Sequence, residues 1–436
     1  MKRRVAIIGA GVSGLAAAVE LFELSHEYDT DIEVAIYEAR REAGGRTRSF
    51  VDNETGDTLD NGQHLLMGCY TSTIDYLKAI GSYNKIERSL SLEIPFHFTG
   101  GSSLSLSLPK YIPTPVNLLV GIMRSSLLAG FEKSAAIRFG IDILLFAHDK
   151  NSHDMTCDSL FVKTKQPETL VKKLWEPIIL ATMNAPTSKA SAQVFINIMR
   201  VIFFHDRRYS QILFPKVGLS ELLIDPALEY LSKKKCEIKY GAVIGGLTRV
   251  NGLAHILGED GKTIEVYDAA IDAATNFTRS EGFTYSPIVN VYFWVDRKIL
   301  DAPINGFIGT SLQWCFPKPS RFAKQLIACT VSAGEELVHK TNDEITDILW
   351  KDILQTIPSA KYATLVHSKI IKEKRATVLL TPDNQKLRPN RTSEEKNIYF
   401  AGDLAQNSLP MTIEGAVRNG QICARKVLES LSPQAI

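Results

Sequence analysis

Two periods of apolar spacing alternate along this chain. The first stretch, "RVAIIGAGVSGLAAAVELF", is apolar from Val5 to Ile8, breaks at three glycines, and resumes with Ala and Leu at helical spacing. Short β-branched runs read as buried strands, and longer Ala/Leu-rich runs read as helices. The pattern predicts a strand, a tight turn, and a helix from near Val12 to about Leu24. "IEVAIY" predicts a second strand ending at Glu38. "RSFVDNETGDTLDNG" reads as a short hairpin and "CEIKYGAVIGGLTRVNG" as a pair of strands joined by a turn. "EVYDAAIDAATN", residues 265–276, and the aromatic-rich "SPIVNVYFWVD" read as further strands. Near the far end, "NIYFAGDLAQNSLPMTIEGAVRNGQICARKVL" predicts a strand, a loop, and a helix starting near Met411 or Thr412. Strands alternating with helices point to an α/β fold.

Composition narrows this picture only a little. At 436 residues the chain has room for two or three domains. It is 45% apolar and 22% charged, with a formal net charge of +2. That balance is ordinary for a globular protein and gives no field suited to nucleic acid. Lys233-Lys234-Lys235 reads as a solvated helix end. The six cysteines include no C-x-x-C pair and no histidine at zinc spacing. The expectation is a reducing, cytoplasmic location, without metal or disulfide framework. The nearest approach to a membrane span, residues 111–131, is interrupted by Asn117, Arg124 and two serines. It reads as a helix in the membrane interface, on the inner face, or as one packed in the core.

The glycines carry the first chemistry. Gly9, Gly11 and Gly14 form G-x-G-x-x-G between a strand and a helix, the context that gives this motif meaning. Gly9 permits the sharp turn, Gly11 lets backbone approach a pyrophosphate, and Gly14 lets the helix pack on the strand. Val12 and Ser13 open that helix, whose free N–H groups and positive dipole end suit phosphate. From Gly14 to Glu38 is close to the spacing of about 20 residues expected for an acid on ribose hydroxyls. Gly44-Gly45 can turn beside a ligand, Arg46 can fork onto phosphate oxygens, and Arg40 can cover the adenosine end.

"EARREAGGRT" resembles the second dinucleotide motif of the amine oxidase and phytoene desaturase superfamily. "AGD" at 401–403, followed by a helix, is similar to the superfamily's flavin-proximal segment. The resemblance implies noncovalent FAD. It puts Gly402 and Asp403 at the ribityl chain, Met411 and Thr412 at the helix end beside the pyrimidine, and Val243 on the adenine. It further implies a Rossmann-like FAD-binding domain of discontinuous segments 1–85, 206–276 and 390–436. A mixed α+β substrate domain, 86–205 and 277–389, is inserted into it.

Further segments are similar to the hydroxysqualene dehydroxylases of hopanoid biosynthesis. They include "LDNGQHLLMGCY", "LPKYIPTPVNLLVGIMR", "SLQWCFPKP" and "KEKRATVLLTPDNQKLRP". Leu404-Ala405 depart from that family's Trp-Thr. The implied reaction replaces the hydroxyl of hydroxysqualene with hydride, giving squalene and water. The implied partners are that lipid, a peripheral membrane surface, and squalene-making prenyltransferases. Rival readings are an oxidative carotenoid desaturase, an amine oxidase, and a non-catalytic isoprenoid-carrying flavoprotein. "LAQNSLPM" has no Tyr or Trp for an amine cage. In "DNGQH", Gly62 is expected to pass beside the flavin, and Gln63 to bond a flavin edge or the substrate oxygen. His64, with a reference pKa near 6.5, is the candidate acid and Asp60 its orienting partner. The other reading of His64 is a loop-capping histidine. The aromatic strand "VYFWV" is expected either to wall the lipid site or to be core.

Overall fold

The computed structural model describes residues 2–146, 154–274, 282–391 and 397–432. Thr275 and Asn276, which end the predicted 265–276 segment, lie outside them. One sheet is five-stranded and wholly parallel, in the order Glu237–Tyr240, Ile32–Glu38, Arg3–Ile8, Ala269–Asp272, Ile398–Phe400. Val5, Ala6 and Ile7 in its central strand have no solvent contact. Their unbroken apolar run is what a parallel strand covered on both faces requires.

One covering layer is helical. Helix Val12–Leu24 packs against the C-terminal helix Ile413–Leu431. The approach is close enough that a Cβ on Gly420 would lie 2.2 Å from the Ser13 carbonyl oxygen. The other layer is an antiparallel meander, Gly246–Val250, Leu253–Leu257 and Thr263–Tyr267. Its Ala254, Ile256 and Tyr267 pack onto Ala6, Ala35 and Ala270.

Two strand expectations need correction here. "CEIKYGAVIGGLTRVNG" is not a strand pair. Glu237–Tyr240 joins the edge of the parallel sheet beside Glu38, the chain turns off at Gly241 with φ +71°, and Gly246–Val250 belongs to the meander. Residues 265–272 likewise divide between two sheets. Asp268, at the break, accepts the Arg4 N–H at 2.8 Å and pairs with Arg3.

A second, seven-stranded sheet runs in the order Leu365–Val378, Tyr285–Val295, Gln325–Ser332, Trp314–Lys318, Asn305–Ile308, Glu93–Phe98, Ser103–Ser107. Phe293 faces helix Asn342–Thr356 with its ring 5.6 Å from Trp350. Tyr292 and Trp294, on the opposite face, are also buried. The aromatic strand is core. A small sheet of Leu66–Met67, Ile212–Pro215 and Ile86–Arg88 lies beside the segment that follows the hairpin.

Residues 111–131 are part surface and part core, with Leu127 and Leu128 buried. Helix Val116–Arg124 buries Asn117, Gly121 and Ile122 and turns Leu119 and Met123 outward, 44% and 56% exposed; Tyr111 and Phe131 flank them at 88% and 62%. Among the described residues no helix is long and apolar enough to cross a membrane.

The helix crossing sets the first prediction. In Gly420→Ala the new methyl meets backbone, so the helices must separate. Overpacking of this kind destabilises by about 1–3 kcal/mol, read as a lower urea midpoint; an unchanged midpoint would refute the close contact.

Candidate functional site

Both ends of the chain converge on one loop. Gly9 has φ +97° and donates its N–H to the Tyr37 carbonyl at 2.7 Å. A Cβ on Gly14 would sit 1.9 Å from the Gly9 oxygen, whereas one on Gly11 would enter open space. The sequence roles are thus separable: Gly14 serves packing, and Gly11 leaves backbone open to approach. Gly11 also caps helix Val12–Leu24 without a side chain.

The second glycine pair is tied to the first loop. Gly44 donates to the Ala10 carbonyl at 2.9 Å and bridges Gly11. Gly44 and Gly45 have φ +111° and +57°, which favours glycine at both. Glu38, buried at its strand end, accepts the N–H groups of Ala10 at 2.8 Å and Arg40 at 2.9 Å. Ala242 donates to the Glu38 carbonyl and Gly241 to that of Arg40. That brings the half-exposed Val243 and the exposed Arg40 to the same strand ends.

The C-terminal segment enters through Ser13. Its hydroxyl donates to the Ala416 carbonyl at 2.7 Å and accepts the Gly402 N–H at 2.8 Å. The side chain of Ser13 is therefore a strut, leaving its backbone for a ligand. Thr412 caps helix Ile413–Leu431 by accepting the Gly415 N–H, and Met411 packs against the neighbouring core.

Arg46 differs from expectation. One terminal nitrogen reaches both Asp403 oxygens, at 2.7 and 2.8 Å, and the other donates to the Ala376 carbonyl. Asp403 raises its pKa further, against the effect of burial, so it stays charged. The carboxylate 357 positions later is a stronger partner than open space, so two predicted ligand contacts bind each other.

The "DNGQH" segment is wired differently from its sequence reading. Asp60 accepts Ser49 Oγ at 2.7 Å and the Leu219 N–H at 2.9 Å on one oxygen, and Lys318 Nζ at 3.3 Å on the other. Its carbonyl accepts Tyr292 Oη at 2.8 Å. Asp60 thus anchors the segment to the seven-stranded sheet and does not orient His64. Burial pushes the His64 pKa down; the Asp60 charge opposes this, and Arg46 and Lys318 push it lower. A reference-value acid is the wrong description: at neutral pH this imidazole is uncharged. Gly62 abuts a side chain of the sheet, since a Cβ there would lie 3.2 Å from Asn290 Nδ2. Gln63 Nε2 points to the His64 carbonyl at 3.4 Å, and its buried Oε1 accepts nothing among the described residues.

Asn290 and Lys318 were not among the sequence candidates. Asn290 left a signal, as the polar interruption of an apolar strand. Lys318 left none, because its partner is far away in the chain. Among the described residues no group of three or more His, Cys, Asp or Glu stands at metal-holding distance.

An open Gly11, two positive-φ glycines and a carboxylate at the second strand end stand together at the N-terminus of helix Val12–Leu24. The family described as flavin containing amine oxidoreductase matches residues 12–428, and the chain belongs to it. It is an oxidoreductase with a flavin cofactor. The chain is 29% identical to the hydroxysqualene dehydroxylase of Sinorhizobium fredii, covering 97% of this chain and 98% of that protein. The hydroxysqualene dehydroxylase of Rhodopseudomonas palustris is 28% identical, with 98% and 99% covered. Cyclohexylamine oxidase from Brevibacterium oxydans shares the fold, with a TM-score of 0.67 at 15% identity over 98% and 99% of the two chains.

The environment of His64 yields a pH prediction. A histidine held below its reference value takes up a proton more readily when unfolded. Its contribution to stability is therefore full above the unfolded pKa of about 6.5 and falls as pH drops below it. His64→Gln should flatten the fall in urea midpoint between pH 7.5 and pH 5.5, values chosen to bracket that pKa of about 6.5. Equal slopes in both proteins would contradict the burial effect.

Proposed function

We propose that this protein is an FAD-dependent hydroxysqualene dehydroxylase, reducing hydroxysqualene to squalene and water. The observation that carries the reading is the likeness, over nearly the full length of both chains, to two proteins of that name. Noncovalent FAD is held by Gly9, Gly11, the opening residues Val12 and Ser13, Gly45 and Arg46, with Glu38 on the ribose. Val243 and Arg40 flank the adenosine, and Gly402, Asp403, Met411 and Thr412 flank the flavin half. The FAD-binding domain consists of 1–85, 206–276 and 390–436, with 86–205 and 277–389 as substrate domain.

Reduced flavin supplies the hydride that replaces the allylic hydroxyl. The protein holds the lipid and keeps water from the developing cation. The neutral His64 imidazole donates a hydrogen bond to the leaving oxygen, which departs as water with a proton relayed from solvent through the ring. Gln63 Oε1 accepts from the flavin edge or the hydroxyl, and Asp60 anchors the start of the segment to the seven-stranded sheet. The wild-type protein is expected to release FAD, not FMN, on denaturation. After anaerobic photoreduction, hydroxysqualene should restore the oxidised flavin spectrum and yield squalene, while phytoene and amines should not. Failure of hydroxysqualene to reoxidise the flavin would refute the reading.

The substrate dissolves in lipid, so we place the protein on the inner face of the membrane. Leu119, Met123 and Phe131 dip into the bilayer, and Lys110, Arg124 and Lys133 meet anionic headgroups. A squalene-making prenyltransferase is the expected protein partner. Leu118 packs on the core and is unsuitable for a test. Leu119→Glu/Met123→Glu should abolish flotation with vesicles containing anionic lipid while leaving FAD content intact. A folded variant that floats like wild type would refute docking here.

A further inference from the structure

Between Gly402 and helix Ile413–Leu431 the chain has no helix or strand, yet Asp403, Leu404, Ala405 and Leu409 are buried. Buried carbonyls need donors. One side chain supplies most of them. Arg388, 3% exposed, donates to the carbonyls of Asp403 at 2.8 Å, Leu404 at 3.2 Å, Ala405 at 3.0 Å, Asn407 at 3.2 Å and Leu409 at 3.0 Å. Its remaining contact is Gln385 Oε1 at 3.2 Å.

No carboxylate hydrogen-bonds this guanidinium among the described residues. The nearest acid, Asp403, gives its carboxylate to Arg46. Burial pulls the Arg388 pKa down to about 10, which still leaves it cationic at neutral pH. A full positive charge therefore sits beneath the loop, hydrogen-bonded by carbonyl oxygens, with the Asp403 carboxylate acting on it only through space.

The geometry has a second consequence. In a trans peptide the N–H points away from its own carbonyl. Carbonyls of 403, 404, 405 and 407 turned toward Arg388 leave the N–H groups of Leu404, Ala405, Gln406 and Ser408 turned away from it. Gln406 spends its N–H on the Pro389 carbonyl. The Asp403 side chain, meeting Arg46, ties the loop to the glycine cradle.

We propose that Arg388 is a positioning residue for the flavin. It gathers the loop carbonyls so that Leu404, Ala405 and Ser408 present N–H groups and positive potential to the site, and so favours the reduced, negatively charged cofactor over the oxidised one. Buried charge acts strongly here because little water screens it. The Ile413–Leu431 dipole acts in the same direction.

The proposal rests on the flavin reading and is independent of the substrate, so its test uses no hydroxysqualene. FAD affinity, flavin midpoint potential and amide exchange of residues 403–412 are measured in Arg388→Lys and Arg388→Met. The lysine variant keeps the charge but has three donors for five carbonyls. It should bind FAD at least fivefold more weakly and exchange these amides faster, with a potential near wild type. The methionine variant should lose at least tenfold of the preference for reduced flavin, a potential lower by about 30 mV for a two-electron couple. If the methionine variant does not fold, the lysine variant decides through affinity and exchange. A folded methionine variant with wild-type potential overturns the proposal. So does a lysine variant with wild-type FAD affinity and loop exchange, even with a lowered melting temperature, since that marks a purely structural arginine.

Discussion

The contact on which the rest depends is that of two backbones where helix Val12–Leu24 crosses helix Ile413–Leu431. Gly420 allows the approach, and the Ser13 hydroxyl then bonds both Ala416 and Gly402. Residues four hundred positions apart are fixed to within a hydrogen bond. The glycine loop, the Gly402-Asp403 turn and the C-terminal helix end become one rigid surface. Without that crossing, each half would be an ordinary loop.

The second constraint is the burial of acids from the hairpin Ser49–Val51 and Thr58–Asp60 against the seven-stranded sheet. Asp57 accepts Trp294 Nε1 at 2.8 Å and the Arg321 N–H at 2.9 Å, as well as Ser320 Oγ. Burial alone would raise its pKa, but these bonds outweigh it and hold the carboxyl below its usual value. Asp60 is held by Lys318 on its carboxylate and by Tyr292 on its backbone carbonyl. Carboxylates with satisfied hydrogen bonds tolerate burial that unpaired ones would not. The outcome is positional: the segment from Asp60 to His64 is pinned between the two sheets, and its polar groups have few conformations left.

Electrostatics at the site are asymmetric. Arg46 and Lys318 bring cations near His64, and Asp403 and Asp60 are committed to them; Arg388 lies under the loop at 403–409. Among the described residues no carboxylate hydrogen-bonds Arg388, and the surroundings of His64 hold its pKa down. A region with excess positive charge suits a cofactor that gains electrons, and it disfavours binding a protonated amine.

The local chemistry of the cradle was legible in the sequence because it is local. Gly9, Gly11, Gly14 and Glu38 act through turn geometry and strand ends within one βαβ unit, and Thr412 through a cap three residues long. The outward helix at 111–131 was legible only as an apolar stretch; its exposure depends on what else packs there. Sheet membership was not legible, since "CEIKYGAVIGGLTRVNG" contains two good strands and nothing in it states that they join different sheets. Nor were the partners of charged groups. Asp60 has His64 four residues away, yet Ser49, Leu219 and Lys318 reach it first, and Arg46 finds Asp403 instead of open space. Short-range rules fix the backbone of a motif. The pairing of buried charges is decided by whichever donors the tertiary fold brings within about 3 Å, and sequence separation places no limit on that.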